Sequence, residues 1–220
     1  MPWLDTGSRY SSCCGKEICS ACVLEVAIRD QHEQKCAFCR TPAAKLDEEN
    51  IKRLKKRIEA GDANAMFNLG VCYSNGSFGM PQNHDKALEL YHRAGELGYS
   101  AAHNNIGNAY HFGEVVERDE KKADHYHELA AMQGDEYSRH NLGNSEFRAG
   151  NWDRAIKHYT ISAEVGYNGS VKMIQKLYTD GDATKEDYSK ALRTYQTYLD
   201  EIKSKQRDAA AAANDEYKYY

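Results

Sequence analysis

From residue 63 onward, apolar and small residues recur every three or four positions, stop at a glycine, and the pattern then starts again. Four segments carry the first half of this unit: ANAMFNLGVCYSNG, YSAAHNNIGNAYHFG, YSRHNLGNSEFRAG and GSVKMIQKLYTDG. Each is followed by a second amphipathic segment: DKALELYHRAGELG, KKADHYHELAAMQG, DRAIKHYTISAEVG and SKALRTYQTYLDEI. A period near 3.6 predicts a helix in every one of them. Leu69, Ile106, Leu142 and Ile174 correspond in the first segments, and Gly70, Gly107 and Gly143 follow three of them. Ala87, Ala123, Ala155 and Ala191 correspond in the second, at separations of 36, 32 and 36.

Within a unit the small positions are spaced for close helix contact. Ala65, Leu69, Cys72 and Tyr73 match Ala102, Ile106, Ala109 and Tyr110, and Ala87, Tyr91 and Ala94 match Ala155, Tyr159 and Ser162. Small residues seven apart with an aromatic between them let two helices approach while the ring fills the gap. Gly98, Gly134 and Gly166 stand where second helices end. Asn83, Asp119, Asn151 and Asp187 lie four residues before each aligned alanine and are expected to accept from the free amides that open the second helices. The expected architecture is mainly α, a helix-turn-helix solenoid whose hairpins bury their faces on one another.

Ahead of the repeats, DEENIKRLKKRIEAGD predicts one more helix, with Ile51, Leu54 and Ile58 on one face and Asp47 as its cap. The basic run Lys52 to Arg57 reads as the solvated side of that helix. Gly61 aligns with Gly98, so this helix has the register of a second helix and is expected to cap the solenoid. The tail after the last repeat, with five alanines at 209–213 and a tyrosine-rich end, is expected to fray into disorder.

Composition then excludes some functions. The 220 residues carry a net charge of −4 with a pI near 6.1, which does not mark a nucleic-acid or anionic-membrane binder. No run of apolar residues is long enough for a bilayer span, and MPWLDTGSRYSS lacks the features of a secretory signal. A reducing compartment, cytoplasmic or nuclear, is expected. Clustered cysteines there bind metal more often than they pair as disulfides. Six of the seven cysteines precede residue 40: Cys13, Cys14, Cys19, Cys22, Cys36 and Cys39. The seventh, Cys72, falls on a packing face and reads as core. No phosphate-binding loop, nucleophile elbow or HExxH pattern is present.

The repeating pattern of alanine, leucine-glycine and tyrosine, then Asx, alanine, tyrosine and alanine closing on glycine, resembles the Sel-one-like repeat, a relative of the tetratricopeptide repeat. The resemblance covers 63–204 in four copies, 63–99, 100–135, 136–167 and 168–204. The third has a shorter interhelix loop and Glu146 in place of the tyrosine, and the fourth has Gln175 in place of the glycine. Such repeats bind protein or peptide partners on a concave face lined by first helices. By alignment the contacting side chains are Phe67, Val71, Asn104, Asn108, His111, Tyr137, His140, Asn144, Lys172 and Lys176. Their amide, imidazole and ammonium groups suit an extended peptide and its carboxylates.

Residues 1–43 resemble the second half of a RING-type zinc finger, joined to the repeats by the helix in 44–62. CCGKEICSAC and CAFCR match the later ligands of that motif, while Lys16 replaces the usual histidine and Cys13 substitutes for it. No cysteine or histidine precedes Cys13, so the module reads as a RING without its first ligand pair. Zinc takes four thiolate or imidazole ligands. Three sets meet that count: Cys13, Cys14, Cys36 and Cys39; Cys19, Cys22, Cys36 and Cys39; or His32 with Cys19, Cys22 and Cys36. About one zinc ion is expected.

The resemblance also implies a ubiquitin-conjugating enzyme as partner, contacted by Ile18, Phe38 and Arg40. The groove for that enzyme lacks its usual apolar residue between the first ligands, and Ala37 stands where a proline belongs. The first expectation is therefore a zinc-binding interaction scaffold. The competing one is a RING-type ubiquitin ligase whose repeats recruit its substrate.

Overall fold

Residues 8–19, 35–36, 38–42, 44 and 46–203 are described by the computed structural model of the chain. They form two compact units, one reaching to Tyr99 and one from Ser100 to Lys203. Cys22, His32 and the tail 205–220, singled out in the sequence, lie outside the described residues.

The first unit begins with a two-stranded antiparallel hairpin, β1 (Ser8–Ser11) and β2 (Lys16–Cys19), in which Tyr10 pairs with Glu17 and Arg9 with Ile18. Helix α1 (Asp47–Glu59) follows, burying Ile51 and Leu54 while Lys52, Lys55 and Lys56 stay exposed. Asp47 does not cap it. The N-cap is Leu46, which offers no side-chain acceptor, and Asp47 sits in the first turn, where its charge favours the amide end of the helix. The pair α2 (Ala63–Asn75) and α3 (His84–Glu96) completes the unit.

The second unit contains three helix pairs: α4 (Ser100–Phe112) with α5 (Glu120–Met132), α6 (Glu136–Arg148) with α7 (Trp152–Glu164), and α8 (Asn168–Asp180) with α9 (Lys185–Ile202). No helix among the described residues is long and apolar enough to cross a membrane. Ala123, Ala155 and Ala191 in this unit are buried, as is Ala87 in the first. Ile174 and Leu177 pack with Ala155, Ile156, Tyr159 and Ala191 into one apolar cluster.

The glycines after Leu69, Ile106 and Leu142 explain how closely the helices approach. A Cβ on Gly70 would come 2.7 Å from the Tyr91 ring, one on Gly107 2.7 Å from the His127 ring, and one on Gly143 2.5 Å from the Tyr159 ring. In each pair an aromatic side chain of the second helix lies where a methyl would otherwise be. Gly98, Gly134 and Gly166 take positive φ just past their helices.

The column of Asx caps holds for two pairs and not for the others. Asn83 Oδ1 accepts from Lys86 N at 2.9 Å and Asp119 Oδ1 from Lys122 N at 3.0 Å. Asn151 is an N-cap with no such bond, and its amide nitrogen donates to Glu146 Oε2 at 2.8 Å. Asp187 is already inside α9. That helix starts one turn earlier, at a capping box in which Thr184 Oγ1 accepts from Asp187 N and Asp187 Oδ2 accepts from Thr184 N.

Candidate metal centre and repeat surface

The turn between β1 and β2 presents Cys13 and Cys14, and a second turn presents Cys36 and Cys39. The second is closed by Cys36 N donating to Thr41 O at 2.8 Å, by Arg40 N donating to Cys36 O at 3.1 Å, and by a bridge between Lys35 and Pro42. Arg40 takes φ of 58° to make that reversal. The two turns bring the four sulfurs within 4.8 Å of one another. Cys14 Sγ is 3.7 Å from Cys36 Sγ, and Cys39 Sγ is 3.4 Å from Cys13 Sγ. Sulfurs at the corners of a zinc tetrahedron with bonds near 2.3 Å stand about 3.8 Å apart. The donor set therefore has the right number, chemistry and spacing for one such ion.

The thiols are electrostatically unequal. Cys39 is exposed and held down to about 6 by the Thr41 hydroxyl and backbone amide, so it is a thiolate at neutral pH. Burial would raise Cys36, but the amides of Cys39 and Phe38 pointing at its sulfur lower it overall. Cys13 and Cys14 are raised, chiefly by burial. Amides aimed at sulfur favour the charged form that ligates metal.

Of the three ligand sets the sequence leaves open, this geometry assembles the first. The side chain of Cys19, and all of Cys22 and His32, lie outside the described residues. Around the centre, Phe38 is 45% exposed with Lys16 Nζ 5.3 Å from its ring centre; Arg40 is exposed and Ile18 half-buried on β2.

The aligned repeat positions range from buried to exposed. Phe67 is buried between the Tyr91 and Tyr99 rings, at 5.6 and 5.0 Å, so it is a core wedge and not a contact residue. Asn104 is buried and its Oδ1 accepts from Asn108 Nδ2 at 3.3 Å. His140 turns inward to Ser170 Oγ at 2.8 Å, among the rings of Tyr159 and Tyr167, and burial pushes it down to about 4. Asn144 Oδ1 accepts from the Tyr159 hydroxyl at 2.8 Å, and His111 Nδ1 lies 3.1 Å from Glu120 Oε2. Val71 and Tyr137 are half-buried. Lys172 and Lys176 are exposed, the latter 5.5 Å from the Phe147 ring centre. The sequence reading missed a polar link at this surface, Asn141 Nδ2 donating to Asn108 Oδ1 at 3.2 Å, although Asn141 stands beside an aligned leucine.

With this geometry in place, comparison with known proteins gives the class. The Sel1 repeat family model matches residues 63–99, 100–135 and 176–195, so the chain carries Sel1 repeats on a helical-repeat fold. No curated protein matches it. Two solved structures are similar. A Sel1 repeat protein from Oxalobacter formigenes is 25% identical over 76% of this chain, with a TM-score of 0.58. The protein c5321, a protective antigen present in uropathogenic Escherichia coli strains displaying an SLR fold, is 26% identical over 74% of this chain, also with a TM-score of 0.58. The chain spans 64% and 35% of the lengths of these two proteins.

Proposed function

We propose that the chain is a zinc-binding protein-protein interaction scaffold. In this reading Cys13, Cys14, Cys36 and Cys39 hold one zinc ion, and the Sel1 repeats present a surface to a peptide partner. The observation that carries the metal half is the four-sulfur cluster, in which every donor lies within 4.8 Å of the others. A reducing compartment, cytosol or nucleus, would keep these thiols free to ligate. The partner half rests on the repeat class and on two exposed ammonium groups, Lys172 and Lys176, placed one helical turn apart on α8. Half-buried Asn108 and His111 add hydrogen-bonding groups on α4.

Native mass spectrometry of the full chain tests the metal. One bound zinc is expected, lost in Cys13→Ser and Cys39→Ser and kept in Cys72→Ser, since the Cys72 thiol is buried in the first helix pair. Zinc-free wild-type protein would end this reading. For the partner, Lys172→Glu with Lys176→Glu should weaken binding of peptides ending in a free carboxylate more than of their amidated forms.

The ligase reading draws support from Phe38 and Arg40, both exposed beside the thiols. Self-ubiquitination with a panel of conjugating enzymes, abolished by Arg40→Ala, would replace the scaffold reading with it.

A further inference from the structure

The turn that carries two of the four thiols rests on an ion pair belonging to the first helices. Gly15, next after Cys13 and Cys14, has φ of 71° and lies against the Arg57–Asp62 pair. A Cβ on it would fall 2.6 Å from Asp62 Oδ2 and closer still to the Arg57 guanidinium, so only glycine lets the turn sit there. Asp62 divides its two oxygens between different tasks. Oδ1 accepts from Ala65 N at 3.1 Å and caps α2. Oδ2 accepts from the Tyr10 hydroxyl at 2.7 Å and from Arg57 Nε and Nη2 at 2.9 and 2.7 Å.

Two further bonds tie the hairpin to the same helices. Ser12 Oγ donates to Asn50 Oδ1 on α1 at 3.3 Å, and Asn64 Nδ2 on α2 donates to Glu17 Oε1. Burial would raise the Asp62 carboxyl, but the bonds from Tyr10, Arg57 and the Ala65 amide hold it below its ordinary value, and Arg57 is raised in return. A carboxylate accepting this many hydrogen bonds is fixed in place, and so is whatever leans on it.

We infer that the Arg57–Asp62 pair positions the thiolate turn, so that metal binding and the order of the first helix pair form one linked equilibrium. This rests on the metal reading above. The pair does not touch the ion; it acts through Gly15 and Tyr10 on the two ligands that lie between them. Two of the four ligands must be brought to the other two when metal arrives, and a turn already seated on Asp62 loses less freedom in that step. By linkage, metal must stabilise the α1–α2 contact by the same factor that the contact favours metal.

Cobalt(II) is the probe, read by its thiolate charge-transfer absorption on the full chain. Tyr10→Phe removes one hydroxyl and leaves the α2 cap intact; it should weaken cobalt binding roughly tenfold, the effect of one hydrogen bond to a charged acceptor. Asp62→Asn keeps a capping oxygen but faces Arg57 and Tyr10 with a neutral amide, and should weaken binding more. Asp135→Ala, which removes a cap of α6 in the other unit, should lower stability and leave the cobalt affinity unchanged. In the wild type, chelation should speed hydrogen exchange across 63–75 and leave 100–203 as it was. Wild-type cobalt affinity in both Tyr10→Phe and Asp62→Asn, or unaltered exchange at 63–75 on chelation, would overturn the inference alone. A wild-type chain that takes up no cobalt would overturn the metal reading and this inference with it.

Discussion

Arg154 Nη2 lies 2.6 Å from Glu146 Oε1, at two positions that hold a lysine and a tyrosine in other helix pairs. Lys86 Nζ is 5.4 Å from the Tyr73 ring centre, and Lys122 Nζ is 5.1 Å from that of Tyr110. In all three pairs the cation is the third residue of the second helix, and its partner stands in the last turn of the first. Replacing the ring by a carboxylate converts a cation–π contact into an ion pair and keeps the same clamp. The fourth pair uses a third solution, the Tyr178 and Tyr188 rings stacked at 5.6 Å.

The clamp predicts a double substitution. Glu146→Ala removes the partner of Arg154 and of the Asn151 amide and should cost about 1 kcal/mol, modest because Arg154 is largely exposed. Glu146→Tyr with Arg154→Lys should recover most of it. Urea unfolding of the wild type and the two variants checks this; a double variant no better than Glu146→Ala would refute the equivalence.

The ring-and-glycine contacts predict overpacking. Tyr159 is fully buried over Gly143, so Gly143→Ala forces the ring or the helix to move and should cost about 1–3 kcal/mol in overpacking, only partly offset by the gain of about 1 kcal/mol from better helix propensity. A melting temperature equal to the wild type would show that the ring is free to yield.

Acid should loosen the second unit. His127 is 3% exposed, and burial, with the charges of His111 and Arg148 and against that of Glu120, holds it down to about 4; burial does the same to His140. Both are neutral in the folded chain at pH 7. Their contribution is complete above the usual value near 6.5 and is lost as pH falls toward 4, because only the unfolded chain takes up the proton in that window. For His127 the loss approaches roughly 3 kcal/mol. His127→Tyr supplies the residue found at the matching positions, Tyr91 and Tyr159, and should flatten the profile. Parallel urea midpoints from pH 7.5 to 4 in both proteins would contradict this.

Capping should follow the bonds actually made. Asn83→Ala and Thr184→Ala each lose a cap and should cost about 1 kcal/mol, whereas Asn151→Ala loses only its amide bond to Glu146 and should cost less. Equal losses at all three would mean that the helix starts differ from those seen.

The columns of alanine and glycine were legible from the sequence because a small residue repeated in register marks a close helix crossing. Departures from the columns were less legible. The sequence does not show that Asn151 makes no capping bond while its amide nitrogen donates to Glu146, nor that Asp187 yields the cap to Thr184, three residues upstream. The burial of two aligned first-helix residues was hidden for a related reason. Position on a first helix does not reveal that Tyr99 and Tyr167 close over Phe67 and His140. Cysteine spacing allowed three ligand sets, and nothing in that spacing reports that the Cys13–Cys14 turn folds onto Cys36 and Cys39. Asp62 before an apolar run signals a cap, but nothing local reports that Tyr10, 52 residues away, shares it.

In the first three helix pairs the interhelix loops differ in length, yet each ends on the same backbone bond. The amides of Asn83, Asp119 and Asn151 donate to the carbonyls of Tyr73, Tyr110 and Glu146, at 2.8, 3.0 and 2.9 Å. The chain between those two points bears no fixed share of the helix contact. Segments 76–82 and 113–118 are therefore graft points: foreign sequence inserted there inherits two anchored ends, and the hairpin beneath need not register its length.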